Sequence, residues 1–332
     1  MPGYEERAIE AALENGRGRT TKVPKRIKKA FFLFNADRSP GRIDRIKEIL
    51  DQTEIGYDAL NFIEKNDISL SFGISHSPGF YSPKQNKIAL NPCYSDADLA
   101  LAFIHEVRHA QQNTAMNCVD LGMTADTLVK TGFISEADAC VAECVLAHQR
   151  IKQGDDSLLK AMQKSPHKPI STAFEQEFLA SGDLEKAKEA AMMSWYDLPE
   201  KQKYAQHYAG LIKSAARAWR KNPSNFTQRF SAKEITDRLC VDNMGKSYVS
   251  TPEMLESKEK LNVNEKTGDK IASAAYRLIN AYKRSRSELG FDQIYQKDNN
   301  NQYEKLSENA LMKPYAYHHN PQPYHLKMRR ER

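Results

Sequence analysis

The segment Ser95–Met116, SDADLALAFIHEVRHAQQNTAM, decides the fold, because its apolar residues recur at three- and four-residue spacing and predict one long helix. Ser95 and Asp98 form a capping-box-like start, three residues apart. Further along, His105 and His109 are separated by one helical turn and lie about 40° apart on one face. Both imidazoles can therefore reach a single metal ion, so the segment predicts a metal site on this helix.

Glu106 lies between the two histidines and projects about 60° from His109 around the helix. This direction brings its carboxylate close to a water at the metal but keeps it off the ligand axis. The neighbouring side chains supply the dry wall that a catalytic metal site needs. They are small or apolar: Leu101, Ala102, Phe103, Ile104 and Ala110.

The segments on either side of this helix predict the rest of the site. The stretch GFYSPKQNKIALNP, residues 79–92, predicts a turn followed by a short strand with Ile88 and Leu90 on one face. After the helix, the run Ser135-Glu136-Ala137-Asp138 has the pattern of a second capping-box-like start, so we expect a second helix to begin there. Glu136 would then return beside the two histidines.

The segments HEVRHAQQ and SEADACVAECVLAH together resemble the core of the gluzincin-type zinc metallopeptidases. They are similar to the bacterial repressor-cleaving group (ImmA/IrrE-like) and to uncharacterised bacterial metallopeptidases. The resemblance covers about residues 57–150, less than a third of the chain. It implies that His105, His109 and Glu136 bind Zn²⁺ and that Glu106 is the general base. It also implies that the strand before the helix borders the cleft and pairs with an extended substrate.

The sequence departs from the thermolysin-like pattern at Cys140, where that pattern has an aspartate four residues after the ligand glutamate. Asp138 and Glu143 are the alternatives for the missing carboxylate partner. We expect Arg108 to form an ion pair with such an acid. Cys140, Cys144 and His148 also follow one another at four-residue spacing; a second metal site is one interpretation, and small thiols on a buried face are the commoner one.

The third ligand and the donor that stabilises a tetrahedral oxyanion both have alternatives. An aspzincin-like ligand from Asp120 or Asp126 competes with Glu136, although the surrounding residues GMTADTL match that pattern poorly. The oxyanion donor would come from the segment KQKYAQHYAGL, where we favour Tyr204 over His207 and Tyr208. Packing of these aromatic rings at helical spacing is the competing interpretation.

Composition bounds the class of protein. The chain has 332 residues, 40% hydrophobic and 28% charged, with a net charge of +6, which fits one large or two smaller folded domains. No apolar run approaches the roughly 18 residues of a membrane span, and the first residues lack the apolar region of a secretory signal. Five scattered cysteines predict reduced thiols and a cytoplasmic location.

Residues 17–29 contain seven basic and no acidic side chains. Nucleic acid, an anionic membrane or an import receptor could bind such a run, but a solvated arm is its commoner meaning, and nothing else in the sequence supports a nucleic-acid partner. The predicted organisation has four parts. These are a basic arm (1–39), a zincin-like metallopeptidase domain (40–220), a helical extension (221–285) and a polar, disordered tail (286–332).

We therefore expect an α+β fold that is predominantly helical, with a small sheet beside the helix of the two histidines. The expected activity is that of a zinc metalloendopeptidase acting on a protein or peptide substrate. One alternative is a non-catalytic, zinc-containing interaction protein that uses its basic arms. Another is a protease secreted as an effector. A structural zinc site has four protein ligands, whereas this sequence offers three, which favours catalysis.

Overall fold

The structure is a computed structural model. It describes residues 37–218, 221, 224–242, 244–297, 300 and 302–306. The basic run 17–29 and most of the predicted tail lie outside the described residues. Within them the chain forms eleven α-helices and two small sheets, which confirms the predominantly helical α+β class.

The described residues divide into two compact units. The first is built from residues 37–120, Lys130–Tyr204 and Phe230–Glu256, and the second from Leu121–Val129, Ala205–Arg229 and the described residues from 257 to 306. The domain boundaries that the sequence predicts at residues 40, 221 and 286 remain predictions.

Helices surround a three-stranded sheet in the first unit. Its elements, in chain order, are α1 (Pro40–Asp51), α2 (Glu54–Lys65), β1 (Ser69–Phe72), β2 (Gly79–Ser82), β3 (Lys87–Leu90), α3 (Asp96–Ala115), most of α4 (Ala125–Lys152), α5 (Ser157–Gln163), α6 (Lys168–Ser181), α7 (Leu184–Trp195), the start of α8 (Lys201–Ala218) and α9 (Ala232–Leu239).

The strand order in this sheet is β1-β3-β2, with β1 parallel and β2 antiparallel to β3. β3 carries Ile88 and Leu90, which are fully buried. The expectation that this strand pairs with an extended substrate is wrong, because β3 is already paired with β1 on one side and with β2 on the other. β1 and β2 are the two edge strands, and β2 packs on α3.

Local contacts fix the start of α3. The Ser95 hydroxyl accepts a hydrogen bond from the Asp98 amide, and the Asp98 carboxylate accepts one from the Ser95 amide, which completes the predicted capping box. Arg42 from α1 binds Asp96 at 2.7 Å and the Pro92 carbonyl at 2.8 Å. Because Arg42 is only 7% exposed, this anchor fixes the site helix against α1.

The predicted start of a helix at Ser135 is wrong, because Ser135 lies inside α4, which runs over 28 residues from Ala125 to Lys152. Before it, Leu128, Val129, Phe133 and Ile134 are fully buried. The Ser135 hydroxyl does not cap a helix; it donates to the side chain of Gln112.

The second unit contains a smaller sheet of the same type, with strand order β4-β5-β6. Its further elements are β4 (Asn262–Val263), α10 (Glu265–Tyr282), α11 (Arg286–Leu289), β5 (Tyr295–Lys297) and β6 (Tyr303–Lys305). β5 pairs in parallel with β4 and antiparallel with β6. None of the helices in the described ranges is long and apolar enough to cross a membrane.

Candidate metal centre

Helices α3 and α4 bring three predicted ligands together. The Nε2 atoms of His105 and His109 lie 3.1 Å apart, and Oε2 of Glu136 lies 3.6 Å from the first and 3.5 Å from the second. The three side chains are between 11% and 20% exposed, so the group is sheltered but still partly accessible to solvent.

This spacing fits one tetrahedral metal ion. Zinc binds imidazole nitrogen and carboxylate oxygen at about 2.0–2.2 Å, which puts two tetrahedral ligand atoms about 3.3–3.6 Å apart. The three measured distances bracket that value. Burial alone would raise the pKa of Glu136, but the charge of His109 and the bonds from both histidines lower it, so the Glu136 carboxylate is anionic.

Glu143 sets the orientation of the first histidine ring. Its Oε1 lies 2.7 Å from Nδ1 of His105, and its Oε2 lies 2.9 Å from Nδ1 of His167. Burial opposes ionisation of Glu143, but the charge of His167 and bonds from both rings lower its pKa to about 2. With Nδ1 bonded to this carboxylate, His105 directs Nε2 towards His109 and Glu136.

Gln112 sets the orientation of the second ring. Its Oε1 accepts a bond from His109 Nδ1 at 2.8 Å and another from the Ser135 hydroxyl. Its Nε2 donates to the Ser135 carbonyl at 2.9 Å and to Asp138 at 2.6 Å. Because these partners fix which end of the amide is the acceptor, His109 Nδ1 is the donor and Nε2 is free to bind a metal ion.

Asp138 connects this amide to a buried ion pair. Its carboxylate binds Arg108 at 2.7 and 3.1 Å and accepts a bond from the Tyr248 hydroxyl at 2.8 Å. Arg108 also donates to the Leu239 carbonyl at 2.6 Å. The prediction that Arg108 pairs with an acid is confirmed. Of the two carboxylates considered, Glu143 contacts a histidine directly and Asp138 acts through Gln112.

Glu106 lies beside the edge strand. Its Oε2 accepts a hydrogen bond of 2.7 Å from the backbone amide of Tyr81 in β2. Its negative charge also helps to raise the pKa of His109, where burial acts in the opposite direction. Glu106 is therefore near the ligand group without belonging to it, as the helical geometry predicts.

Tyr204 faces Glu136 from α8. Burial, together with the charge and hydrogen bond of Glu136, raises the pKa of its hydroxyl, so the group stays protonated and can donate. Its ring also packs on Trp195, with 5.8 Å between the ring centroids. The two interpretations of Tyr204, aromatic packing and hydrogen-bond donation, are therefore compatible in one side chain. His207 and Tyr208 belong to the second unit, where their rings contact each other at 5.4 Å.

Two groups of three potential metal ligands occur among the described residues. One is His105, His109 and Glu136, and the other is His105, Cys140 and Glu143; neither includes Asp120 or Asp126. The arrangement of Cys140, Cys144 and His148 does not form a metal-binding group in these ranges. His148 instead binds Glu175 at 3.1 Å in the core.

The family model described as "Putative metallopeptidase family" (DUF6782) matches residues 33–250. The chain belongs to this family. The matched range of the DUF6782 family includes α3, α4 and both groups of potential ligands. No curated protein and no solved structure matches the chain. The family description names a metallopeptidase, which is a hydrolase that uses a metal ion. The more specific resemblance to the gluzincin-type zinc peptidases remains a prediction.

Proposed function

We propose that the protein is a zinc-dependent endopeptidase that cleaves peptide bonds in a protein or peptide substrate. His105, His109 and Glu136 would hold the zinc ion. The observation that carries the proposal is the triangle of their donor atoms, with sides of 3.1, 3.5 and 3.6 Å, in which both histidines have Nδ1 engaged by a fixed partner. Three protein ligands are typical of catalytic rather than structural zinc sites.

When bound, zinc supplies Lewis acidity, which lowers the pKa of a water ligand to about 7 and polarises a carbonyl group. Glu106 is placed to take the proton of the attacking water and to deliver it to the leaving amine. Tyr204 is the favoured donor to the developing oxyanion, because its protonated hydroxyl lies beside Glu136.

The Glu106→Gln variant tests this proposal, because it removes the base and keeps the size of the side chain. We expect it to retain about one zinc per chain and to lose at least about 100-fold of the activity on fluorescein-labelled casein. Tyr204→Phe should lower kcat and leave the zinc content unchanged. Full activity of zinc-loaded Glu106→Gln would exclude the mechanism. A zinc-containing wild-type protein without hydrolytic activity would favour the non-catalytic alternative.

A cytoplasmic location and secretion as an effector remain the two alternatives for where the enzyme acts. The basic run 17–29 is proposed as a solvated arm.

A further inference from the structure

Two residues of the edge strand β2 have backbone amide and carbonyl groups that do not pair with the neighbouring strand. The Pro78 carbonyl accepts a hydrogen bond from the Asn91 amide at 2.7 Å, just before the paired residues Gly79 and Leu90. Hydrogen-bonded pairs alternate along an antiparallel ladder, so Phe80 bonds to β3 and its two neighbours do not. The backbone groups of Gly79 and Tyr81 therefore face the free edge.

One of these free-edge groups is already occupied by the proposed catalytic base. The Tyr81 amide donates to Oε2 of Glu106 at 2.7 Å, the length of a charge-assisted hydrogen bond. Gly79 makes the close approach feasible. A Cβ atom at this position would lie 3.2 Å from Cγ of Glu106 and 3.3 Å from Cδ2 of Leu90, tighter than ordinary packing. The strand therefore passes directly against the stem of Glu106.

We infer that the backbone amide of Tyr81 is a positioning group for Glu106 and is not a pairing site for the substrate. The inference rests on the proposed role of Glu106 as the general base. A glutamate side chain has three rotatable bonds and can adopt many conformations. A second contact is therefore needed to hold its carboxylate within proton-transfer distance of the attacking water. The Tyr81 amide holds Oε2 and leaves Oε1 for the proton. An extended substrate along β2 must then pair without this amide.

The first experiment measures the hydrogen bond itself, without using activity. Full-length protein labelled with ¹⁵N-tyrosine gives one amide signal for each tyrosine, and Tyr81→Phe identifies the signal of Tyr81 because it removes that label and keeps the backbone amide. We expect hydrogen exchange of this amide to be at least about tenfold faster in Glu106→Ala than in wild type. The difference should persist after zinc removal by a chelator, because the bond uses no ligand atom. Equal exchange rates would overturn the inference.

The second experiment tests the positioning role with a matched pair of variants. Tyr81→Pro removes the amide hydrogen, which the ladder does not use, and an outward-facing position of an edge strand tolerates proline. Tyr81→Ala removes the same side chain but keeps the amide hydrogen. On fluorescein-labelled casein we expect kcat of Tyr81→Pro to be about 10–100-fold below that of Tyr81→Ala, with equal KM and equal zinc content.

A double-mutant cycle separates positioning from general damage. In the Glu106→Asp background the shorter side chain cannot bridge to the strand, so the kcat values of Tyr81→Pro and Tyr81→Ala should differ by less than about twofold. A difference confined to KM in the Glu106 background would assign the amide to substrate binding and overturn the inference. Equal kcat for the two variants in that background would overturn it as well.

If Tyr81→Pro does not fold, the hydrogen-exchange measurement decides whether the Tyr81 amide holds Glu106. Full activity of Glu106→Gln would refute the proposed function separately, while the exchange result would still report on the bond.

Discussion

At the scale of single residues, the two histidines proposed as ligands have different partners. His105 is bonded to the carboxylate of Glu143, and His109 is bonded to the neutral amide of Gln112. The proximity of the two histidines could be predicted from the sequence, because their spacing within one helix is a local signal. Gln112 follows His109 by three residues on the same helix, so the same helical spacing could have identified it as a neighbour of the His109 ring. His167 carries no such signal, because it reaches Glu143 through tertiary packing.

The Gln112→Leu variant should weaken zinc binding by about 10–100-fold, because it removes the acceptor that fixes the His109 ring. Competition with a chromogenic chelator measures the affinity. Gln111→Leu is the matched control on the same helix; Gln111 contacts Arg108 and neither histidine. Equal zinc affinity of the two variants would show that Gln112 does not orient the ligand.

The charge of His167 gives a pH-dependent prediction for the metal-free protein. The negative charges of Cys140 and Glu143 hold the pKa of His167 well above its ordinary 6.5, although burial opposes this. Because the folded-state pKa is raised, this ring stabilises the fold fully below about pH 6.5 and loses that contribution as pH rises through the raised pKa.

An NMR titration, with the signal assigned by His167→Gln, should give a midpoint above 6.5 that falls in Glu143→Gln. Cys140→Ala separates the contribution of the thiol. A wild-type midpoint at or below that ordinary value would contradict the ion-pair network.

At the scale of elements, α4 carries most of the groups that complete the site. Glu136 and Glu143 lie two turns apart and both approach His105, while Asp138 holds Gln112. Its first part was not predictable because Thr127, Thr131 and Gly132 have low helix propensity. Burial of the apolar residues between them outweighs that propensity, and only the folded chain shows such burial. The N-terminus of α3 was predictable because a capping box is encoded within four residues.

Ser135→Pro tests the continuity of α4. A proline inside a helix removes one backbone bond and clashes with the preceding turn, so we expect the free energy of unfolding to fall by about 3 kcal/mol or more. Ser135→Ala loses only the hydroxyl and should retain the helix. Chemical denaturation followed by circular dichroism measures both. Near-equal stability of the two variants would instead place a helix start at this residue.

At the scale of the whole chain, the family match over residues 33–250 covers the entire candidate metal centre. The fold class was predictable because helical periodicity dominates the sequence from Ser95 onward. The division into two units was not, because each unit is assembled from three separate segments of the chain. A change in composition along the sequence marks boundaries between consecutive domains, and interleaved segments leave no such mark.

The zinc content of full-length protein purified without chelator tests the central claim most directly. Elemental analysis should find about one zinc per chain in wild type and in Glu106→Gln, because the base is not a ligand. Glu136→Ala should lose most of this zinc, because only two ligand atoms of the triangle remain. Absence of zinc from the wild-type protein, or full zinc content in Glu136→Ala, would contradict the assigned metal centre.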